Sequence, residues 1–202
     1  VAVSLLATNE GSLVRVGIPS QGLDVVREDV ASPTARTQVY SNPGDEPVII
    51  QVSGFNLGAT LTRPKAGTAT RLPAVILLSG ASGGDRDGFA SGVPTIGQLA
   101  GAFADAGFLP VRYDKRGFGQ SGGRAESATL GDYADDARAV VRWLLERKDV
   151  DPKRIALVGY SEGAWVALLT AARERRVAAV AFVEAAASTG AELALEQQKY
   201  EL

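Results

Sequence analysis

The 202 residues are 46% hydrophobic and 22% charged, with 21 basic and 23 acidic side chains and a formal net charge of −2. That length suits one domain, or one domain with an appendage, and the charge balance leaves no electrostatic footprint for nucleic acid or an anionic membrane. The sequence has no Cys, Met or His, which excludes disulfides, thiolate nucleophiles, His- or Cys-ligated metal sites and a complete Ser-His-Asp triad within these residues.

Residues 1–45 hold scattered apolar triplets broken by Gly, Pro, Ser and Thr. They read as short strands, an extended arm or the tail of an upstream segment. Val1–Ala7 is apolar but short and has no basic flank, so it is no convincing signal peptide. Asn42-Pro43-Gly44-Asp45 is a strong turn and the expected boundary. The second unit is expected at 46–202. Val48–Val52 and Leu57–Thr62 around Ser53–Asn56 predict a hairpin. Ala74–Leu78 is a continuous apolar run, the pattern of a strand buried on both faces. Thr95–Ala106 has helical spacing and stops at Gly107, a natural C-terminal cap. Phe108–Tyr113 predicts a strand whose Pro110 belongs near its start. A glycine-rich loop runs from Asp114 to Gly123.

Thr129–Arg147 is the clearest helix, with an apolar stripe through Leu130, Tyr133, Ala137, Val140, Val141 and Leu144. Asp151-Pro152 is expected to break the chain before a buried strand at Ile155–Val158. A helix at Ala164–Arg173, a strand at Val177–Val183 and a helix starting near Thr189 follow. No apolar run approaches the ~18 residues that would span a bilayer. Strands alternating with helices predict right-handed crossovers and a mostly parallel sheet, with the hairpin adding antiparallel strands at one edge. The expected fold class is α/β, in three layers.

Gly159-Tyr160-Ser161-Glu162-Gly163 joins the Ile155–Val158 strand to the next helix. A G-x-S-x-G in the context strand, sharp turn, helix is the pattern of a nucleophile elbow. The turn strains the serine backbone, and side chains two residues either side of it would collide. Two further loops fit the same picture. Ser79-Gly80-Ala81-Ser82-Gly83-Gly84-Asp85-Arg86-Asp87 follows the first buried strand, and Tyr113-Asp114-Lys115-Arg116-Gly117-Phe118-Gly119-Gln120-Ser121 follows the next. With the elbow, these segments resemble the α/β-hydrolase superfamily, in particular its bacterial serine esterase-like, dienelactone-hydrolase-like members. The resemblance covers roughly residues 46–202.

It implies acyl transfer to water through a serine ester, without cofactor or metal, on a small-molecule ester. Ser161 would be the nucleophile. The backbone N–H of Glu162 would form one half of the oxyanion hole, and that of Ala81, with Ser82 as the neighbouring alternative, the other. The sequence departs from the family at Ser79 and Tyr160, where His is common. It departs more seriously in having no His at all. In the family's chain order the acid and the His follow the nucleophile on later strands. About six of the usual eight strands are counted here, so the resemblance places acid and His in a C-terminal part beyond Leu202.

Several residues carry competing readings. Glu184, at the end of the last strand, is the candidate acid; the alternative is a solvated strand end. Lys115 and Lys199 are weaker candidates for a substitute base. Gly117–Gly122 matches G-x-G-x-x-G, but no helix opens directly from it, which favours a tight loop over a dinucleotide site. Asp85-Arg86-Asp87 reads as an ion-pair and turn network rather than a cation site. Trp143 and Trp165 read as core, with Trp165 close enough to the elbow to shape a pocket.

Three functions follow. The first is a serine hydrolase of carboxylic esters. The second is a non-catalytic hydrolase-like fragment or subunit, whose Val177–Val183 strand would be an exposed pairing edge if the chain ends at Leu202. The third is a peptidase or amidase of the same fold. The missing cysteines fit the cytosol or export equally.

Overall fold

Strand β6 (Leu72–Leu78) sends alternate side chains to opposite faces of the sheet, and both faces are buried. Ala74, Ile76 and Leu78 enter one apolar cluster, whereas Val75 and Leu77 enter another. The first is closed by α2 (Leu130–Leu145) and α3 (Glu162–Arg173), the second by α1 (Thr95–Asp105). The result is the expected three-layer α/β core. The computed structural model describes residues 2–18, 23–27, 38–65, 71–81, 84–90, 92–185 and 187–201.

The main sheet has six strands in the order β11-β10-β6-β9-β5-β4. Strands β4 (Asp45–Gln51) and β5 (Asn56–Thr62) form the antiparallel hairpin at one side. Strands β6, β9 (Leu109–Tyr113), β10 (Val150–Tyr160) and β11 (Ala179–Val183) run parallel. Their C-terminal ends therefore share one edge, where ligands bind in open α/β sheets. β11 is the outer strand there, with Phe182 47% and Val183 40% exposed. A separate antiparallel sheet, β1 (Ser4–Ala7), β2 (Leu13–Ile18) and β3 (Leu23–Val26), precedes the core.

One local expectation is overturned, and the structure adds detail at three further points. Asp151-Pro152 does not break the chain; it lies inside β10. The register shifts between Val150, opposite Leu72, and Ile155, opposite Ala74. The extra residues bulge outward there, and a bulge accommodates proline because it needs no ladder bond. Pro110 sits one residue into β9, where the ladder to β5 begins only at Val111. A short ribbon, β7 (Phe89–Ala90) with β8 (Val93–Pro94), follows the Asp85–Asp87 turn and has too few residues to carry a pattern. The Asn42–Asp45 turn is bound to the elements that follow it. Asn42 Nδ2 donates to the Gly97 carbonyl, and the Tyr40 N–H donates to Asp87, so residues 40–45 are tied to the core.

Helix α2 begins at a capping box. The Thr129 hydroxyl accepts from the Asp132 N–H, and the Asp132 carboxylate accepts from the Thr129 N–H. Helix α4 (Gly190–Glu201) closes the described chain, with Thr189 and Glu192 paired in the same way. No helix among the described residues is long and apolar enough to cross a membrane.

Candidate active site

Ser161 sits between the end of β10 and the first turn of α3 with φ 52° and ψ −119°. Among the described residues only Ser161 and Glu184 combine a side chain with positive φ. Such backbone costs on the order of 1–3 kcal/mol and persists only where its surroundings hold it. Two glycines make the turn possible. A Cβ on Gly159 would strike the Gly163 carbonyl, and one on Gly163 would strike the Leu78 carbonyl. The Ser161 N–H donates to the Val183 carbonyl (2.8 Å), and its own carbonyl accepts from Ala164 N–H (2.9 Å). Its side chain makes no capping hydrogen bond. The hydroxyl therefore stands at the positive end of α3 without being spent on the cap.

The loop after β6 meets the elbow directly. A Cβ on Gly80 would lie 3.1 Å from Ser161 Cβ, so only a glycine fits easily beside the serine there. Ala81 follows and is exposed. Ser82, the alternative donor, lies outside the described residues. Glu184 follows β11 at the same edge, exposed, with φ 55°. The neighbouring Glu184 carboxylate, with burial adding to it, holds the Tyr160 phenol above its ordinary range. Tyr160 and Glu184 thus form a pair beside the serine.

Behind the elbow stands Lys115, 7% exposed. Its Nζ donates to the Gly80 carbonyl and to Glu162 Oε1, each at 2.7 Å, and lies 5.1 Å from the centre of the Tyr133 ring. Burial first, then the charge of Glu162, pushes the Tyr133 phenol up to about 12. The ammonium is committed to these partners, which speaks against its expected alternative as a base. Lys199 is exposed on α4. A crevice of about 10 Å³, room for at most one water, lies between Ser79, Tyr113, Lys115, Tyr133 and Val166.

The Asp85-Arg86-Asp87 segment is a turn and ion-pair network with remote partners. Asp85 accepts from the N–H groups of Asp87 and Gly88. Arg86 donates to both oxygens of Asp114, to the Ala59 carbonyl and to Gln120. Asp87 accepts from Arg112, which also holds Asp45. The glycine-rich loop folds back on itself, Gly117 N–H to Gly122 carbonyl, and no helix opens until Leu130. Trp165 packs beside Gly190 at the start of α4. Among the described residues no group of three or more His, Cys, Asp or Glu is placed to hold a metal ion.

Local sequence placed Ser161, its two glycines and Gly80. It did not show that Lys115 joins two separate loops, because its partners are 35 and 47 residues away. The only local hint is a lysine inside a loop that otherwise turns on glycine.

The family model for X-Pro dipeptidyl-peptidase (S15 family) matches residues 53–198. An uncharacterized protein of Mycobacterium tuberculosis is 34% identical over 138 residues, covering 68% of this chain and 44% of its own length. The alpha/beta hydrolase GrgF from Penicillium sp. sh18 is 26% identical with a TM-score of 0.61, over 77% of this chain and 53% of that one. Est1E from Butyrivibrio proteoclasticus, solved with ferulic acid bound, is 27% identical with a TM-score of 0.55, over 66% and 50%. The chain therefore spans about half the length of the proteins it matches.

Proposed function

Because the chain belongs to the X-Pro dipeptidyl-peptidase (S15) family, a branch of the α/β-hydrolase superfamily, we propose that it carries the nucleophile half of a serine hydrolase acting on carboxylic esters. The observation that carries this reading is the backbone of Ser161, held at φ 52° on a turn with no room for a Cβ at Gly159 or Gly163. Strain of that kind at the exposed edge of a sheet is kept where a hydroxyl must be presented.

In this reading Ser161 Oγ attacks the ester carbonyl carbon and gives its proton to a general base. The carbonyl oxygen becomes an oxyanion that accepts from the N–H groups of Glu162 and Ala81. The intermediate collapses, the alcohol leaves with a proton, and water hydrolyses the acyl-Ser161 ester by the same steps. The 202 residues contain no histidine, so the reading draws the base from chain outside them. Glu184, paired with Tyr160 next to the elbow, is the local candidate for the acid. The likeness to Est1E, solved with ferulic acid bound, supports an acyl substrate.

A fluorophosphonate probe on the whole protein tests this. Labelling of Ser161, and p-nitrophenyl ester hydrolysis lost in Ser161→Ala, is the expected result. Folded whole protein that neither labels nor hydrolyses would overturn it and favour a non-catalytic hydrolase-like subunit.

The S15 match favours a second reading, cleavage of peptide bonds by the same serine. An X-Pro p-nitroanilide turned over faster than the esters would decide for it.

A further inference from the structure

We infer that Lys115 is a positioning residue that fixes the gap between the two halves of the oxyanion hole. The inference rests on the serine-hydrolase reading and adds to it a residue that does not touch substrate.

Lys115 grips the loop after β6 on both of its sides. Its backbone N–H donates to the Gly84 carbonyl (2.7 Å), and its Nζ donates to the Gly80 carbonyl (2.7 Å). Gly80 immediately precedes Ala81, the donor on that loop. The same Nζ holds Glu162 Oε1 at 2.7 Å, and the Glu162 N–H is the donor on the elbow. One ammonium therefore ties together the residues that present both N–H groups. These donors belong to segments 81 positions apart in sequence (81 and 162). Among the described residues no backbone hydrogen bond joins Gly80 or Ala81 to Glu162.

The surroundings hold the ammonium in place. Tyr133 from α2 lies beneath it, 5.1 Å from Nζ to ring centre. The Phe118 ring fills the space against Gly84, where a Cβ has no room. Burying an ammonium costs several kcal/mol unless it is paired with good geometry. A site needing only packing would be served by an apolar side chain. What Lys115 supplies instead is two directed bonds to two loops.

The consequence is kinetic. An oxyanion hole acts only in the transition state, and a displacement of about 1 Å in such a site costs on the order of a hundredfold. Lys115→Met keeps most of the apolar stem of the side chain and removes both Nζ bonds. Glu162 would then keep a partly exposed carboxylate (28%) at the N-terminus of α3, where the helix favours it, so the fold is not left with a fully buried unpaired charge.

The test uses the whole protein with a p-nitrophenyl ester, measuring kcat and KM separately and thermal unfolding alongside. Lys115→Met is expected to lower kcat about ten- to a hundredfold with KM within twofold, the signature of an interaction made only in the transition state. Affinity for a trifluoromethyl ketone, which forms a tetrahedral oxyanion adduct on serine, should fall by a similar factor. Glu162→Gln keeps an acceptor for Lys115 and should lose only severalfold in kcat. Should Lys115→Met fail to fold, Glu162→Gln and Lys115→Arg carry the same comparison. A kcat within twofold of wild type in these variants, or a change in KM alone, overturns the positioning role while leaving the hydrolase reading intact. Wild-type protein without Ser161-dependent hydrolysis overturns both.

Discussion

Ser161 and Glu184 stand side by side at the sheet edge, because the Ser161 N–H donates to the carbonyl of Val183, the residue before Glu184. Both have positive φ, 52° and 55°. The end of β11 and the tip of the elbow are therefore one strained unit rather than two. A serine in this conformation pays about 1–3 kcal/mol that a glycine would not. Ser161→Gly is expected to raise stability by about 1 kcal/mol, less whatever entropy glycine gives back to the unfolded chain. It should also abolish fluorophosphonate labelling. A urea midpoint at or below that of wild type would show that the surroundings relieve the strain.

The flanking glycines make a complementary prediction. A methyl group at Gly159 meets the Gly163 carbonyl and the Ala164 backbone, and one at Gly163 meets the carbonyls of Leu78 and Ser79. These are backbone atoms that cannot swing aside. Overpacking of this kind costs about 1–3 kcal/mol. Gly159→Ala and Gly163→Ala should each lower the urea midpoint by that much. Gly107→Ala tests the contrast: its φ is 85° but nothing crowds it. It should lose only the conformational term, about 1 kcal/mol.

Asp45 gives a prediction in pH. Burial raises its pKa, but hydrogen bonds from Arg112, Thr62 and the Asn42 N–H together outweigh that and hold the carboxyl below its ordinary range. A carboxyl whose folded pKa is depressed stabilises the fold above its unfolded value, ~3.9 for Asp. That stability is lost as pH falls below this value and through the folded pKa. Asp45→Asn should therefore be clearly less stable than wild type at pH 7. The gap should shrink progressively below about pH 4. Urea midpoints of both proteins between pH 3 and pH 7 check it; a gap that stays constant over that range would contradict it.

The fold and the strained turn at Ser161 were legible because their signals are local. Ala74–Leu78 announces a strand buried on both faces within five residues of sequence, and the Gly159–Gly163 turn is complete within another five. Where the sequence misled, the deciding partner was remote. Pro152 reads as a break, yet the register shift opposite Leu72–Ala74 lets the strand run through it. Asp85-Arg86-Asp87 reads as a self-contained network, yet its arginine and second aspartate pair with Asp114 and Arg112 on β9 and the loop beyond it. In sequence Lys115 stood out only as a weak candidate for a substitute base in a glycine-rich loop. Its role depends on Gly80 and Glu162, which only the folded sheet brings together.

Arg86 shows what these remote pairs contribute. Its side chain and that of Asp114 are 3% and 0% exposed. Nε and Nη2 reach the two carboxylate oxygens at 3.1 and 2.7 Å, while Nη1 holds the Ala59 carbonyl at 2.7 Å. Replacing the pair as a whole with apolar groups is often nearly neutral, but removing one member strands the other's charge in the interior at a cost of about 3–5 kcal/mol. Arg86→Met should lower stability by that amount. In an Asp114→Asn background the same substitution should cost distinctly less, because no carboxylate remains to be stranded. Asp114→Asn alone also weakens the N–H bonds that Asp114 accepts from Arg86 and Gln120, so it carries a cost of its own. A double-mutant cycle from urea melts reads the coupling directly. Additive effects within about 0.5 kcal/mol would mean that water, rather than Arg86, compensates Asp114.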